Sequence, residues 1–130
     1  MKQKEKPRFS IYINEFCRMM ENARKDYAWN YDEVNRMDKL TQDYLHKLEL
    51  DGLDYKGRAK VATQLSKCRQ QRRECKDTVE VLEPFVQFLE SEKGKALLNL
   101  MREALGKTRK VEERMETRSY VPRVLRREET

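Results

Sequence analysis

The sequence predicts an all-α fold: an elongated antiparallel bundle of three or four long helices with coiled-coil-like seams. Three observations lead to this prediction. Charged residues make up 40% of the 130 residues, the chain has only 4 Gly and 3 Pro, and apolar residues recur at steps of three and four. Charge-rich segments with few helix breakers and this period form long, solvated helices. The apolar share of 38% predicts a thin core, and self-association often completes such a core.

The first half of the chain predicts two helices, at residues 8–28 and 31–50. Between them the apolar pattern becomes irregular around Trp29, where Asn30 followed by Glu33 fits a capping box that starts a new helix. One continuous helix with an irregularity near Trp29 is the alternative. The apolar stripes are Phe9, Ile13, Phe16, Met20, Ala23 and Tyr27, and then Val34, Met37, Leu40 or Thr41, Tyr44 or Leu45, and Leu48.

A tight turn separates these helices from a third helix, predicted at residues 55–83. Gly52 fits a left-handed helix end and Asp54 fits an N-cap. Pro84 predicts a kink or a fresh helix start, because proline lacks a backbone donor and disfavours helical geometry in the preceding residue. The seam of this segment alternates steps of four and three: Val61, Leu65, Cys68, Arg72, Cys75, Val79, Leu82, Val86 and Leu89.

The last helix is predicted at residues 84–117, with a break near residues 91–94. Its apolar positions are Leu97, Leu98, Met101, Ala104, Leu105, Val111 and Met115. Residues 1–117 therefore form one predicted helical domain. Residues 118–130 hold too little apolar material for a core and are predicted to be a basic, extended tail.

Arg72 occupies a seam position where an apolar residue is expected. In one interpretation it pairs with a carboxylate on the facing helix and helps to fix the helix register. This interpretation is favoured, because edge arginines commonly cover apolar surface with their stems. In the other interpretation Arg72 belongs to a basic ridge with Arg69, Arg73 and Lys76, which lie within an arc of roughly 100° on the helix.

Such a ridge suits the phosphates of nucleic acid, because arginine carries planar donors. Residues 1–53 hold ten basic and ten acidic residues, so the net charge of +6 arises in the rest of the chain. Against this interpretation, Asp77 and Glu80 are placed to neutralise Arg73 and Lys76, and no helix-turn-helix, zinc-finger or stacking-aromatic motif is present. Cations that extend the ridge toward the helix start are Lys56, Arg58 and Lys60. Candidate contacts from the tail are Arg118, Arg123, Arg126 and Arg127.

The sequence predicts no enzyme, no cofactor and no metal site. His46 follows Asp43 at a spacing that metal-binding bundles use, but the repeated Glu-x-x-His pattern of those sites is absent. Cys17, Cys68 and Cys75 have neither zinc nor redox spacing and are interpreted as small buried residues. A metal-dependent bundle enzyme centred on His46 is the least favoured alternative.

The aromatic residues Tyr27, Trp29 and Tyr31 cluster at the irregularity between the first two predicted helices. Tryptophan and tyrosine at an exposed corner are good interface anchors. The favoured interpretation is that they plug the end of a bundle, because large aromatics tend to be buried.

A cytoplasmic, reducing location is expected. The first residues, MKQKEKPRFSIYINEFC, begin with charge and continue without an apolar core of signal-peptide length. No run approaches a membrane-spanning length, so no membrane partner is expected. The three cysteines cannot all pair within one chain, which fits a reducing compartment.

The stretch KDTVEVLEPFVQFLESEKGKALLNLMREALGKTRKVEER, together with the chain's size and charge, resembles the small, charged, all-helical proteins carried by prophages of Gram-positive bacteria. The resemblance implies a bacterial cytoplasm and a role in phage replication, packaging, regulation or counter-defence. It includes no diagnostic motif and no site residues. The expected function is a non-enzymatic interaction protein that forms a homo-oligomer and binds a protein partner. A nucleic-acid-binding accessory protein acting through the ridge and tail is the alternative.

Overall fold

Three long helices account for most of the chain that the structure describes. This structure is a computed structural model, and it describes residues 8–125. Helix α1 spans Phe9–Leu50, α2 spans Tyr55–Glu90 and α3 spans Glu92–Glu116. Residues 118–124 follow α3 without a helix or strand, and no strand occurs between residues 8 and 125. The prediction of an all-α fold is therefore confirmed.

Helix α1 is one helix of 42 residues, about 63 Å long. The break predicted between residues 28 and 31 is wrong, and the alternative of one continuous helix is right. Asn30 does not cap a new helix, because its side-chain Nδ2 donates to the carbonyl oxygen of Asp26 at 2.7 Å. Glu33 binds the guanidinium of Arg36 at 3.0 Å, not the backbone N–H of Asn30.

Helix α2 continues through Pro84 as far as Glu90, so the boundary predicted at residues 83–84 is also wrong. A proline inside a helix costs about 3 kcal/mol through a lost hydrogen bond and a steric clash. Pro84 and Glu80, whose carbonyl loses its donor, are both exposed, so water can satisfy that carbonyl. Val86 and Leu89 are buried, and burying two such side chains contributes about as much as the proline costs.

The turn between α1 and α2 uses the chemistry that the sequence predicts. Gly52 has φ of +56°, in the left-handed region that glycine enters without a steric penalty. The side chain of Asp54 accepts the N–H of Gly57 at 2.7 Å and caps the start of α2. Both predicted roles are confirmed.

A single residue, Ser91, joins α2 to α3. Its hydroxyl donates to the carbonyl of Phe88 at 2.5 Å and accepts the N–H of Gly94 at 3.1 Å, so it caps the end of one helix and the start of the next. Gly94 is buried. A Cβ atom on Gly94 would lie 1.9 Å from the Phe88 carbonyl oxygen, so glycine is required for this close approach of α3 to α2.

Helix α2 runs back along α1. In the second half of α1, Asp38 contacts Arg72, whereas Met20 and Leu89 belong to one buried cluster nearer the start of α1. All nine positions of the predicted α2 seam are buried or half-buried. The α2 spacing therefore identified a face that the fold shields, at least in part, from solvent.

The main core forms where the first half of α1 meets the end of α2 and the start of α3. Its buried members are Cys17, Met20, Ala23, Leu89 and Leu98, with Ile13, Leu82, Phe85 and Met101 packed against them. Helix α3 then continues toward the start of α1, where Glu112 Oε2 accepts the N–H of Ser10 at 3.3 Å and Glu116 forms an ion pair with Arg8.

The predicted apolar stripe of α1 is incorrect near its start. Phe9 is 74% exposed and Phe16 is 40% exposed, whereas Ser10 and Cys17 are buried. Helix α3 covers the side of α1 that carries Ser10 and Cys17. Helix α2 ends near Met20 and therefore leaves the side with Phe9 and Phe16 open.

Candidate anion-binding ridge and open helix faces

The candidate basic ridge lies on α2, beside Asp38 in the second half of α1. Arg69 and Arg73 are exposed and Lys76 is half-buried. The side chain of Arg72 is 18% exposed, compared with 50% for Arg69. The four predicted residues therefore share one side of α2, with Arg72 innermost, in the interface with α1.

Arg72 is held by a carboxylate on the facing helix. Its Nε donates to Asp38 Oδ1 at 2.5 Å, and Arg69 Nη1 lies 3.8 Å from the same oxygen. The favoured prediction for Arg72, a pairing across the seam, is confirmed. A charge-assisted hydrogen bond between α1 and α2 resists sliding of one helix along the other. Two cations share this one carboxylate, so the local charge stays positive.

Arg73 and Lys76 are the two ridge cations that form no ion pair within 4.0 Å in the described part of the chain. Asp77 and Glu80 therefore make no direct ion pair with Arg73 or Lys76 among the described residues, and the predicted neutralisation stays a prediction. These two cations are the part of the ridge that an anionic ligand can reach without breaking an existing ion pair.

The cations predicted to extend the ridge lie on different faces of α2. Arg58 precedes Arg69 by eleven residues, about three helical turns, and so shares its face. Lys56 and Lys60 lie roughly 140–180° away from Arg69 around the helix axis. Only Arg58 therefore lengthens the ridge.

The described tail arginines do not meet the ridge. The tail leaves α3 at the start of α1, because Glu116 pairs with Arg8, and the ridge lies beside Asp38, about 45 Å further along α1. Arg123 is seven residues beyond Glu116, at most about 25 Å of extended chain, and Arg118 is closer still to α3. Arg126 and Arg127 lie outside the described residues.

The three candidate aromatics divide between two sides of α1. Tyr27 and Tyr31 stack one helical turn apart, with ring centroids 6.1 Å apart, and line a groove of about 770 Å³ with Val86 of α2. Trp29 is 61% exposed and borders a separate groove beside Cys75. The end of α2 borders the tyrosine groove, but Tyr31 is 53% exposed and Trp29 is similarly exposed, so these two residues do not plug the end of a bundle.

The tyrosine groove has mixed electrostatics. Charged residues of both signs line it: Glu21, Arg24, Lys25, Asp32 and Glu90. Burial raises the pKa of Tyr27, and the nearby Glu83, Tyr31 and Glu90 raise it further. The Tyr27 phenol therefore stays protonated at neutral pH, and the groove has no clear preference for a cationic or an anionic ligand.

The thiols and the histidine do not assemble into a reactive site. Cys17 and Cys68 are buried, and Cys75 is half-buried; burial, followed by the charge of Glu33, raises the pKa of the Cys75 thiol. His46 is exposed, with Nδ1 3.9 Å from Glu49. Within residues 8–125, no three His, Cys, Asp or Glu side chains are grouped to hold a metal ion.

Sequence reasoning missed one surface, here named the open α1 stripe: Phe9, Tyr12, Phe16 and Met19. Their exposed fractions are 74%, 53%, 40% and 45%, and the rings of Phe9 and Tyr12 meet edge to face at 6.1 Å. The steps of three, four and three are those of a coiled-coil seam. The sequence shows this spacing. It does not show that the stripe stays uncovered, because that depends on where α2 ends in the folded protein.

Between residues 8 and 125, no helix combines the length and the apolar character needed to cross a membrane. Searches with this chain matched no protein-family model, no curated protein and no solved structure.

Proposed function

We propose that this chain is a non-enzymatic interaction protein that self-associates and binds a protein partner through its helical faces. The observation that carries the proposal is the open α1 stripe, three aromatic residues and a methionine that are substantially exposed along one side of a long helix. Contiguous exposed apolar patches mark interaction sites, and helical spacing of the anchors is typical of helix–helix recognition.

The setting and the finer architecture belong to the same proposal. The chain works in the cytoplasm and is of phage or mobile-element origin, as its resemblance to prophage proteins implies. Its three free cysteines support a reducing compartment. The helices form an elongated antiparallel bundle with coiled-coil-like seams, which the alternating three- and four-residue steps of the α2 positions support.

Affinity purification of the full chain from its native host, with and without nuclease treatment, tests the proposal. We expect the same protein partner to be recovered in both preparations, and to be lost when Phe9 and Phe16 are changed to Asp. The matched control changes Leu100, an exposed apolar residue of α3, to Asp. The proposal fails if the chain is strictly monomeric and recovers no partner.

A nucleic-acid-binding accessory protein is the second candidate, favoured by the unpaired Arg73 and Lys76. The test is fluorescence anisotropy with duplex and single-stranded DNA and RNA at rising salt. Changing both residues to Glu should weaken binding and, by removing two phosphate contacts, reduce the slope of log affinity against log salt by about 1.8 for duplex DNA. Arg72 is left intact because it pairs with Asp38.

The matched control for this test changes Lys93 and Lys95, two exposed residues of α3, to Glu, which alters net charge equally. If the chain does not bind at low salt, or if ridge and control variants bind equally well, the ridge is not a nucleic-acid site.

A further inference from the structure

We propose that the basic ridge and the tyrosine groove form one binding site for single-stranded nucleic acid, in which the ridge holds the phosphates and Tyr31 stacks on an unpaired base. The inference rests on the second candidate function above, because it names the class of nucleic acid that the ridge binds. Cations beside exposed aromatic rings are the combination that proteins use to bind single strands. A duplex offers the same phosphates, but its bases are already stacked on each other.

On α1, the two tyrosines share a face with the carboxylate that anchors the ridge. Asp38 follows Tyr31 by seven residues and Tyr27 by eleven, so the three positions fall within an arc of about 40° around the helix. Asp38 Oδ1 contacts both Arg72 and Arg69. The tyrosines and the ridge therefore lie on the same side of the α1–α2 pair, with Tyr31 about 10 Å from Asp38 along α1.

The sequence of α2 leads to the same placement. Glu83 follows Lys76 by seven residues, so it continues the line of the ridge along α2. Glu83 also lies close to Tyr27, because burial and then the charge of Glu83 raise the pKa of the Tyr27 phenol. Helix α2 runs antiparallel to α1, so Lys76 lies one turn closer to the tyrosines than Arg72 does. The ridge residue nearest the tyrosines is thus a cation.

Tyr31 has the exposure and the packing that a platform for a base needs. It is 53% exposed, and the half-buried Tyr27 stacks against it with the ring planes tilted by 30°. Tyr27 supports the ring from the side away from Asp38, so a base can approach Tyr31 from the side of the ridge. The groove of about 770 Å³ is within the size range of ligand pockets, so it has room for a base and its sugar.

The charges along α2 divide the site between phosphates and base. The ridge is basic, whereas Glu80 and Glu83, which follow it on the same face, are acidic. A phosphate is attracted to the ridge and repelled by these carboxylates. A nucleobase is uncharged, and its amino groups can donate hydrogen bonds to carboxylates. The phosphates of the strand therefore follow the ridge toward Arg69 and Arg58, and the strand meets the tyrosines with a base.

Fluorescence anisotropy of the full chain with three labelled DNA ligands of equal length tests the site. The ligands are a single strand, a blunt duplex of the same sequence, and an abasic single strand that carries phosphates but no bases. We expect the ordinary single strand to bind most tightly. Tyr31→Ala should weaken its binding by about fivefold to a hundredfold, which is the effect of losing one stacked base, and should leave binding of the abasic strand unchanged. Tyr31→Phe keeps the ring and should bind like the native chain.

Tyr12→Ala is the matched control, because Tyr12 is also 53% exposed on α1 but lies about 28 Å from Tyr31 along the helix. It should bind all three ligands like the native chain. Changing Arg73 and Lys76 to Glu should weaken binding of all three ligands, because all three carry phosphates. Circular dichroism checks that each variant folds.

The outcomes separate this site from the candidate function on which it rests. If Tyr31→Ala binds the single strand as tightly as the native chain does, the stacking site is refuted and the ridge remains a candidate nucleic-acid site. The same conclusion follows if the duplex or the abasic strand binds as tightly as the ordinary single strand. If the native chain binds none of the three ligands at low salt, the second candidate function is itself overturned, and this inference with it.

Discussion

Replacing Gly94 by alanine should destabilise the junction between α2 and α3. Alanine normally stabilises a helix interior by about 1 kcal/mol relative to glycine. At Gly94 the new methyl group would lie 1.9 Å from the Phe88 carbonyl oxygen and 2.7 Å from the Leu89 Cα atom. Both are backbone atoms, which cannot rotate away, so α3 must shift from the last turn of α2 and loosen the packing of Leu98 against Leu89.

Overpacking of this kind lowers the free energy of unfolding by about 1–3 kcal/mol. Because the clash is with backbone atoms, the cost of Gly94→Ala should lie near the upper end of that range, and the greater helix propensity of alanine offsets part of it. We expect a net loss of about 1–2 kcal/mol. The unfolding entropy is about 2.1 cal/mol/K per residue, so for 130 residues each kcal/mol lost from the free energy of unfolding lowers the melting temperature by about 4 °C. The melting temperature should therefore fall by about 4–8 °C.

Gly106 provides the matched control, because it lies in the same helix and a Cβ atom there meets nothing within 4 Å. Gly106→Ala should raise the melting temperature by about 2–4 °C through helix propensity alone. Thermal and urea unfolding followed by circular dichroism, at one fixed protein concentration, measures both variants. If Gly94→Ala stabilises the protein as Gly106→Ala does, the close approach of α3 to α2 is refuted.

Three further predictions concern the Asp38–Arg72 ion pair, the Glu33–Arg36 hydrogen bond and the Cys75 thiol. Asp38→Ala should lower the free energy of unfolding in urea by about 1–2 kcal/mol, because it leaves the half-buried guanidinium of Arg72 without its carboxylate partner. Arg72→Leu should leave the free energy of unfolding nearly unchanged. Equal stability of the two variants would contradict this reasoning. The hydrogen bond from Arg36 holds the pKa of Glu33 below its usual range. The pair therefore stabilises the fold fully at pH values above the pKa of an ordinary glutamate, and this stabilisation is lost as the pH falls through the lowered pKa of Glu33. In an NMR titration, Arg36→Gln should raise the pKa of Glu33, and an unchanged value would argue against the bond. Burial raises the pKa of Cys75, so a disulfide reagent should modify the native thiol at neutral pH more slowly than a free cysteine, and reaction at the free rate would show that the site is open.

The elements that local chemistry determines could be predicted from the sequence. The alternating spacing of α2 identified nine positions that are all buried or half-buried, and it identified Arg72 as the charged member of that series. Gly52 and Asp54 were predicted from turn and capping preferences that act within a few residues. The carboxylate that pairs with Arg72 could not be named, because Asp38 is distant in sequence and several other acidic residues of α1 were equally plausible.

The predicted helix breaks failed because packing between helices outweighed local preference. Asn30 and Pro84 both favour a helix boundary in isolation. Each lies beside positions that pack against another helix, and ending the helix there would forfeit that burial. Asn30 instead bonds to Asp26 within α1, and Pro84 sits on the exposed side of α2.

The ridge and the open α1 stripe can be tested independently, because they lie on different parts of the molecule. Phe16 and the ridge partner Asp38 are 22 residues apart on α1, about 33 Å. That distance is about four Debye lengths at physiological salt, so charge reversal at Arg73 should leave self-association unchanged. Phe9→Asp should likewise leave any intrinsic anion binding unchanged. If either change alters both properties, the two surfaces are coupled through self-association, and anion binding then depends on the assembled state.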